Sequence, residues 1–119
     1  MSLKRVLIPL YKDEVAPRFD LAGNVLLASF DQDAERESTE EMLLPHPSAD
    51  GLCDLIVNKD IAVVICGGIE EEYYHYLRWK RVEVVDNVAG LARQALARFR
   101  QGLLKAGDIL FTLEGGDAR

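Results

Sequence analysis

Cysteine is scarce in this 119-residue chain, with two residues, Cys53 and Cys66, beside one tryptophan and two histidines. Two cysteines do not make a disulfide framework, and thiols this few are expected to stay reduced in the cytoplasm. Long hydrophobic runs are missing as well. Apolar stretches such as Ile61 to Cys66 fall far short of the roughly 20 residues that a membrane-crossing helix needs. No charged-then-apolar leader opens the chain, so neither secretion nor membrane insertion is expected. Basic residues are the minority: 14 Lys and Arg against 20 Asp and Glu give a net charge of −6. That balance lacks the electrostatic footprint of a nucleic-acid binder. Internal repeats, low-complexity stretches and linkers are absent too, which leaves one domain over residues 1–119.

What is present suffices for a core, since 49% of the residues are hydrophobic. Lys4 to Leu10 (KRVLIPL) reads as a buried strand ended by Pro9, which has no donor for a sheet ladder. Tyr11 to Gly23, polar and punctuated by Pro17 and Gly23, reads as a loop. Asn24 to Asp31 and Glu35 to Leu44 read as a hairpin around a polar turn at Asp31-Gln32-Asp33. The second strand is charged enough for an exposed edge. Ser48 or Asp50 caps a helix with Leu52, Leu55 and Ile56 on its apolar face, closing at Asn58 to Asp60. The unbroken run Ile61 to Cys66 suits a central strand covered on both faces.

Gly67-Gly68 turns the chain into a second helix, Glu70 to Trp79. Its first-turn acids and the basic residues Arg78, Lys80 and Arg81 at its end both favour the helix dipole. Val82 to Val85 is a last short strand. Asp86 or Asn87 caps a third helix with Val88, Leu91, Ala92, Ala95, Leu96 and Phe99 on one face, and Gly102 follows at C′. The order β-β-β-α-β-α-β-α predicts an α/β fold, a five-stranded mixed sheet with helices on both faces. The core spans about 4–102. In the extension, residues 103–119, Ile109 to Leu113 is expected as an extra strand or a partner contact, and Gly115 to Arg119 as disordered.

Ligands of an open α/β sheet gather beyond the carboxyl ends of its parallel strands. Here that edge takes Pro9 to Ala22, Cys66-Gly67-Gly68 and Asp86-Asn87. The glycine pair either presents backbone amides to an anion or simply permits a tight turn. Glu70 to Glu72, in the next turn, repel a phosphate. Cys66 is either a thiolate for a soft metal or an iron–sulfur cluster, or a small buried hydrophobe. Cys53, between apolar positions of the first helix, reads as core. A four-ligand site would have to recruit His46 or His75, and neither lies at metal-motif spacing. Arg18 either neutralises an anionic ligand or pairs with Asp20 or Glu14. Phe19 either covers an apolar ligand face or plugs the edge of the core.

No catalytic arrangement stands out. Val6-Leu7-Ile8 on the first strand carries no carboxylate for a two-metal nuclease. Spacing suggests no Ser-His-Asp or Cys-His pair. Tyr73-Tyr74-His75-Tyr76 with Trp79 reads as a helix packed on a sheet or on another subunit.

The segment VAPRFDLAGNVLLASFD, Val15 to Asp31, resembles the signature of the nitrogenase iron–molybdenum cofactor biosynthesis domain, the NifX/NifB-like family. Val15, Pro17, Phe19 and Ala22 match its Val-Ser-Pro-His-Phe-Gly-Arg-Ala block. Ala62 to Ile69 is similar to its second block, an apolar strand running into Gly-Gly-Ile, and Val82 to Phe99 to its third. The likeness covers roughly Lys4 to Gly102. It implies a ribonuclease-H-like topology without nuclease activity. It also implies a non-enzymatic role in binding or carrying an iron–sulfur or iron–molybdenum cofactor precursor.

On that reading the cofactor-binding residues are Arg18, Phe19, Cys66, Gly67 and Gly68, with Cys66 as metal ligand. One thiol holds a cluster poorly, so the expected partners are a second copy of the chain and a metallocluster donor or acceptor protein, with no nucleic acid and no membrane. The chain also departs from the family. Arg18 replaces its histidine, Asp20 and Leu21 replace Gly and Arg, and Glu70 to Glu72 stand where Gly, Pro or Ala is usual. The rival expectation is therefore a metal-free protein-interaction or regulatory module that kept the fold and lost the ligand. The acidic, aromatic second helix and the ILFTL run motivate it.

Overall fold

Val6, Leu7 and Ile8 are wholly buried at the centre of the sheet. Val6 and Ile8 point to one face and Leu7 to the other, so this strand needs cover on both sides. The computed structural model describes residues 3–31 and 36–110. In chain order they form β1 (Leu3–Tyr11), β2 (Glu14–Val15), a 3-10 turn (Phe19–Leu21), β3 (Asn24–Asp31), β4 (Glu37–Leu43), α1 (Ala49–Asn58) and β5 (Val63–Ile65). These are followed by α2 (Glu71–Trp79), β6 (Glu83–Val85), β7 (Ala89–Gly90), α3 (Ala92–Arg100) and β8 (Ile109–Leu110). The result is a single α/β domain with a mixed sheet and three helices.

The main sheet runs β4-β3-β1-β5-β6, with β2 added on β1. β3 is antiparallel to β1 and to β4, whereas β1, β5 and β6 are parallel. α1 and α2 cover the face of Leu7, Val25 and Val64, and α3 covers that of Val6, Ile8 and Leu26. Each fully buried aliphatic side chain of this kind contributes about 1.5–3 kcal/mol. At the β4 edge Glu37, Glu40 and Glu41 are exposed, and charge there discourages edge-to-edge pairing. Glu37 also accepts from Arg100 of α3 at 2.8 Å.

Several sequence expectations are corrected. The sheet has six strands, not five, because the expected loop Tyr11 to Gly23 contains β2. Lys12 takes a φ of 58°, which reverses the chain, and pairs Leu10 with Val15 and Tyr11 with Glu14. The third helix starts at Ala92, with Leu91 at its N-cap, and not after Asp86 or Asn87. Asn87 (φ 58°) and Gly90 (φ 122°) have left-handed backbone, so the intervening residues cannot continue a helix. They instead pair as β7 with β8, Ala89 opposite Ile109 and Gly90 opposite Leu110. Ser48, not Asp50, caps α1, its hydroxyl accepting from the Gly51 amide at 3.0 Å.

The extra strand expected from the ILFTL run exists over Ile109–Leu110. The rest of that run, the disordered end expected at 115–119, the hairpin turn beyond Asp31 and the strand start at Glu35 lie outside the described residues. No helix among the described residues is long and apolar enough to cross a membrane.

Candidate functional site

The three segments expected at one sheet edge do meet there. The Gly68 amide donates to the Pro17 carbonyl at 2.7 Å, and the Phe19 amide donates to the Gly68 carbonyl at 2.8 Å. Arg18 thereby stands opposite Gly68 as a parallel bridge. On the other side, the Asn87 amide donates to Gly67 (2.9 Å) and the Val88 amide to Cys66 (3.0 Å). Arg18, Phe19, Cys66, Gly67 and Gly68 thus share one edge, beyond the carboxyl ends of β1, β5 and β6.

Each of them makes definite contacts within the chain there. Gly68 spends its amide on Pro17. Gly67 and Gly68 do not adopt left-handed backbone. Gly67 is needed for space, because a Cβ there would meet the carbonyl oxygens of Ala16 and Pro17. Phe19 is 1% exposed and tilts against Tyr73 at a ring distance of 6.4 Å, so it plugs the core's edge. Arg18 forks onto Asp20, Nε to Oδ1 at 3.1 Å and Nη2 to Oδ2 at 2.8 Å, which neutralises its charge locally.

Cys66 is 0% exposed. Burial, with Asp86 adding repulsion, pushes its thiol up to about 12. Cys53 is also buried, and desolvation followed by Asp50 and Asp54 pushes it up to about 11. The thiolate is the form that binds metal, and both environments disfavour it. His46 and His75 are exposed. Among the described residues no group of three or more His, Cys, Asp and Glu is placed to hold a metal ion. Within one copy, the described residues thus assemble no closed ligand set for an iron–sulfur or iron–molybdenum precursor.

The adjoining groove points the same way. A cavity of about 410 Å³ between α1 and α2 is lined by Asp50, Asp54, Glu72, Cys53, Tyr73 and Tyr76. Partial burial, then Asp50, Glu72 and Glu70, push the Tyr73 phenol up. Asp50, Asp54 and Glu72 on its walls make an anionic ligand there unfavourable.

Sequence reasoning missed a second cavity, of about 330 Å³, between the first turn of α3 and the sheet, where Gln94 lies. Gln94 sits unremarkably in an amphipathic helix pattern, and a pocket built from several strands and a helix leaves no local signature.

The fold recurs in solved structures of low sequence identity. PH0822 superposes with a TM-score of 0.75 over 86% of this chain and 93% of its own, at 23% identity. The protein named "putative dinitrogenase" from Methanocaldococcus jannaschii gives 0.69 at 22% identity, over 88% of this chain and 95% of its own. The apo form of the orange protein from Desulfovibrio gigas gives 0.69 at 21%, over 87% and 92%. This chain has their fold. The dinitrogenase-named neighbour agrees with the NifX/NifB-like resemblance of the sequence. No family model matches the chain, and no curated protein matches it.

Proposed function

We propose that this chain is a non-enzymatic, metal-free interaction or regulatory module that shares its fold with the dinitrogenase-named neighbour and the orange protein. The scaffold is ribonuclease-H-like, a reading supported by the order β4-β3-β1-β5-β6 with β3 antiparallel to its neighbours. The observation that carries the metal-free reading is Cys66. The thiol best placed to hold a cluster has no exposed surface and lies in the core cluster of Leu7, Phe19 and Leu77, so no ligand reaches it unless that cover shifts. Two free cysteines, both buried, support a cytoplasmic setting.

The second reading is a carrier of an iron–sulfur or iron–molybdenum precursor, bridged between two copies or exchanged with a donor protein. It is favoured by the likeness to the orange protein and by the meeting of all five candidate residues at one edge. Anaerobic reconstitution with ferrous iron and sulfide, then desalting, an absorption spectrum and iron analysis, separates the two. The expected outcome is a colourless, folded protein without stoichiometric iron. A brown protein with stoichiometric iron, lost in Cys66→Ala and kept in Cys53→Ala, would overturn the metal-free reading in favour of the carrier.

A further inference from the structure

We propose that the groove between α1 and α2 binds a guanidinium group, seated on the rings of Tyr73 and Tyr76 and paired with Asp50, Asp54 and Glu72. The groove has a volume of about 410 Å³, and these residues line it beside Cys53. That volume lies in the range of small-molecule pockets. Asp50, Asp54 and Glu72 are exposed and both tyrosines are only partly buried, so the groups offered to a ligand are within its reach. Among the described residues no Lys or Arg is ion-paired with Asp50, Asp54 or Glu72. Asp50 and Asp54 also stand one turn apart on α1, where like charges repel. Beyond desolvation, the largest cause in each case, Asp50 pushes up both the Cys53 thiol on α1 and the Tyr73 phenol on α2. One uncompensated negative field thus spans the groove, and a cation relieves it.

The lining specifies which cation. The acids do not converge on a point, since among the described residues no group of three or more His, Cys, Asp and Glu is placed to hold a metal ion. Carboxylates spread around a cavity suit a cation whose charge and donors are spread as well. A guanidinium is planar, carries N–H donors along its edge and forks onto carboxylates. It is also weakly hydrated, and its face stacks on aromatic rings. A quaternary ammonium has no donor for the acids, and a primary ammonium is a compact, strongly hydrated charge. The rings of α2 already draw cations from the chain itself. Lys80 lies over Tyr76 at 5.8 Å and over Trp79 at 4.9 Å, and Arg78 over Tyr74 at 6.0 Å. Lys80 is not part of the groove's lining. Arg18, Phe19, Cys66, Gly67 and Gly68 do not line it either, so the site stands whether or not that edge holds a cluster.

The test is an amide NMR titration of the full chain at low salt with N-acetyl-L-arginine amide and, in parallel, N-acetyl-L-citrulline amide, its uncharged isostere. The arginine probe is expected to shift the backbone amides of Asp54, Glu72 and Tyr73. It is expected to bind about fivefold more tightly than the citrulline probe, the combined worth of an exposed ion pair and a cation–ring contact. Added salt should weaken it. Asp54→Asn combined with Glu72→Gln, both at exposed positions, should keep a dispersed spectrum and reduce that preference. Butylguanidinium in a third titration separates the two sources of the group. Tighter binding of it than of the arginine probe assigns the site to a free guanidine, and weaker binding assigns it to an arginine side chain within a polypeptide; both support the proposal. Equal affinity for the arginine and citrulline probes, a preference unchanged in the double variant, shifts confined to other surfaces, or no shift up to the solubility limit would overturn it. If the double variant fails to fold, the comparison of the arginine and citrulline probes on the unsubstituted chain decides by itself.

Discussion

Gly67 lies against Pro17 so closely that a methyl group on it would come within 2.6 Å of the Pro17 carbonyl oxygen. That oxygen already accepts the Gly68 amide, so it cannot retreat without breaking the contact that closes the site edge. Gly67→Ala is expected to destabilise the fold by about 1–3 kcal/mol, the usual cost of overpacking. Gly68→Ala meets the same oxygen at 3.3 Å and should cost clearly less. Urea midpoints of the two variants check this, and equal losses would contradict it.

Neither thiol should react quickly in the native state. Cys53 and Cys66 are raised from 9.0 to about 11 and about 12, burial being the first cause for both. The unfolded chain releases these protons near its ordinary value of 9.0, before the folded chain does. Their contribution to stability is thus complete below about pH 9 and declines from there toward 12. A thiol-reagent titration should find both cysteines slow in buffer and fast in denaturant. Urea midpoints should fall between pH 9 and pH 11, and Cys66→Ala should reduce that fall.

Arg18 and Phe19 are neighbours with opposite worth. The Arg18–Asp20 pair is solvent-facing, with side-chain exposures of 59% and 31%. Arg18→Ala should change stability by less than about 1 kcal/mol. Phe19→Ala empties a buried ring position and should cost about 3–5 kcal/mol. Thermal or urea unfolding of the two variants reads the contrast directly.

Gly90 holds the β7–β8 pair. Its φ of 122° is left-handed, and a Cβ there would collide with the Leu110 carbonyl. Gly90→Ala is expected to release β8 while the main sheet persists. Hydrogen exchange checks it through the Ala89 amide, which donates to the Asp108 carbonyl at 3.0 Å and should lose its protection.

Much of the fold was legible in the sequence. β3 matches its expected bounds, and β1, α1, α2 and β5 lie within a few residues of theirs, because hydrophobic period and caps are local properties. β2 and β7 were hard to read for a physical reason: a two-residue strand has no period, and only its partner defines it. The convergence at the site edge was legible as well, since topology alone sends Pro17 to Phe19, Cys66 to Gly68, and Asn87 to one end of the parallel strands.

What the sequence determined by itself is that this chain forms one acidic α/β domain whose central strand is apolar on both faces. Val6 to Ile8 admit no other placement, because burying them requires cover on two sides. Only the tertiary structure decided where the candidate residues lie and what they touch. Whether Cys66 is a ligand or a hydrophobe depends on the side chains around it, and Leu7, Phe19 and Leu77 belong to the core cluster that buries it. Whether Arg18 meets a ligand or Asp20 depends on the 3-10 turn that follows it. Burial, pairing and empty space are relations between segments, and they exist only once the segments are brought together.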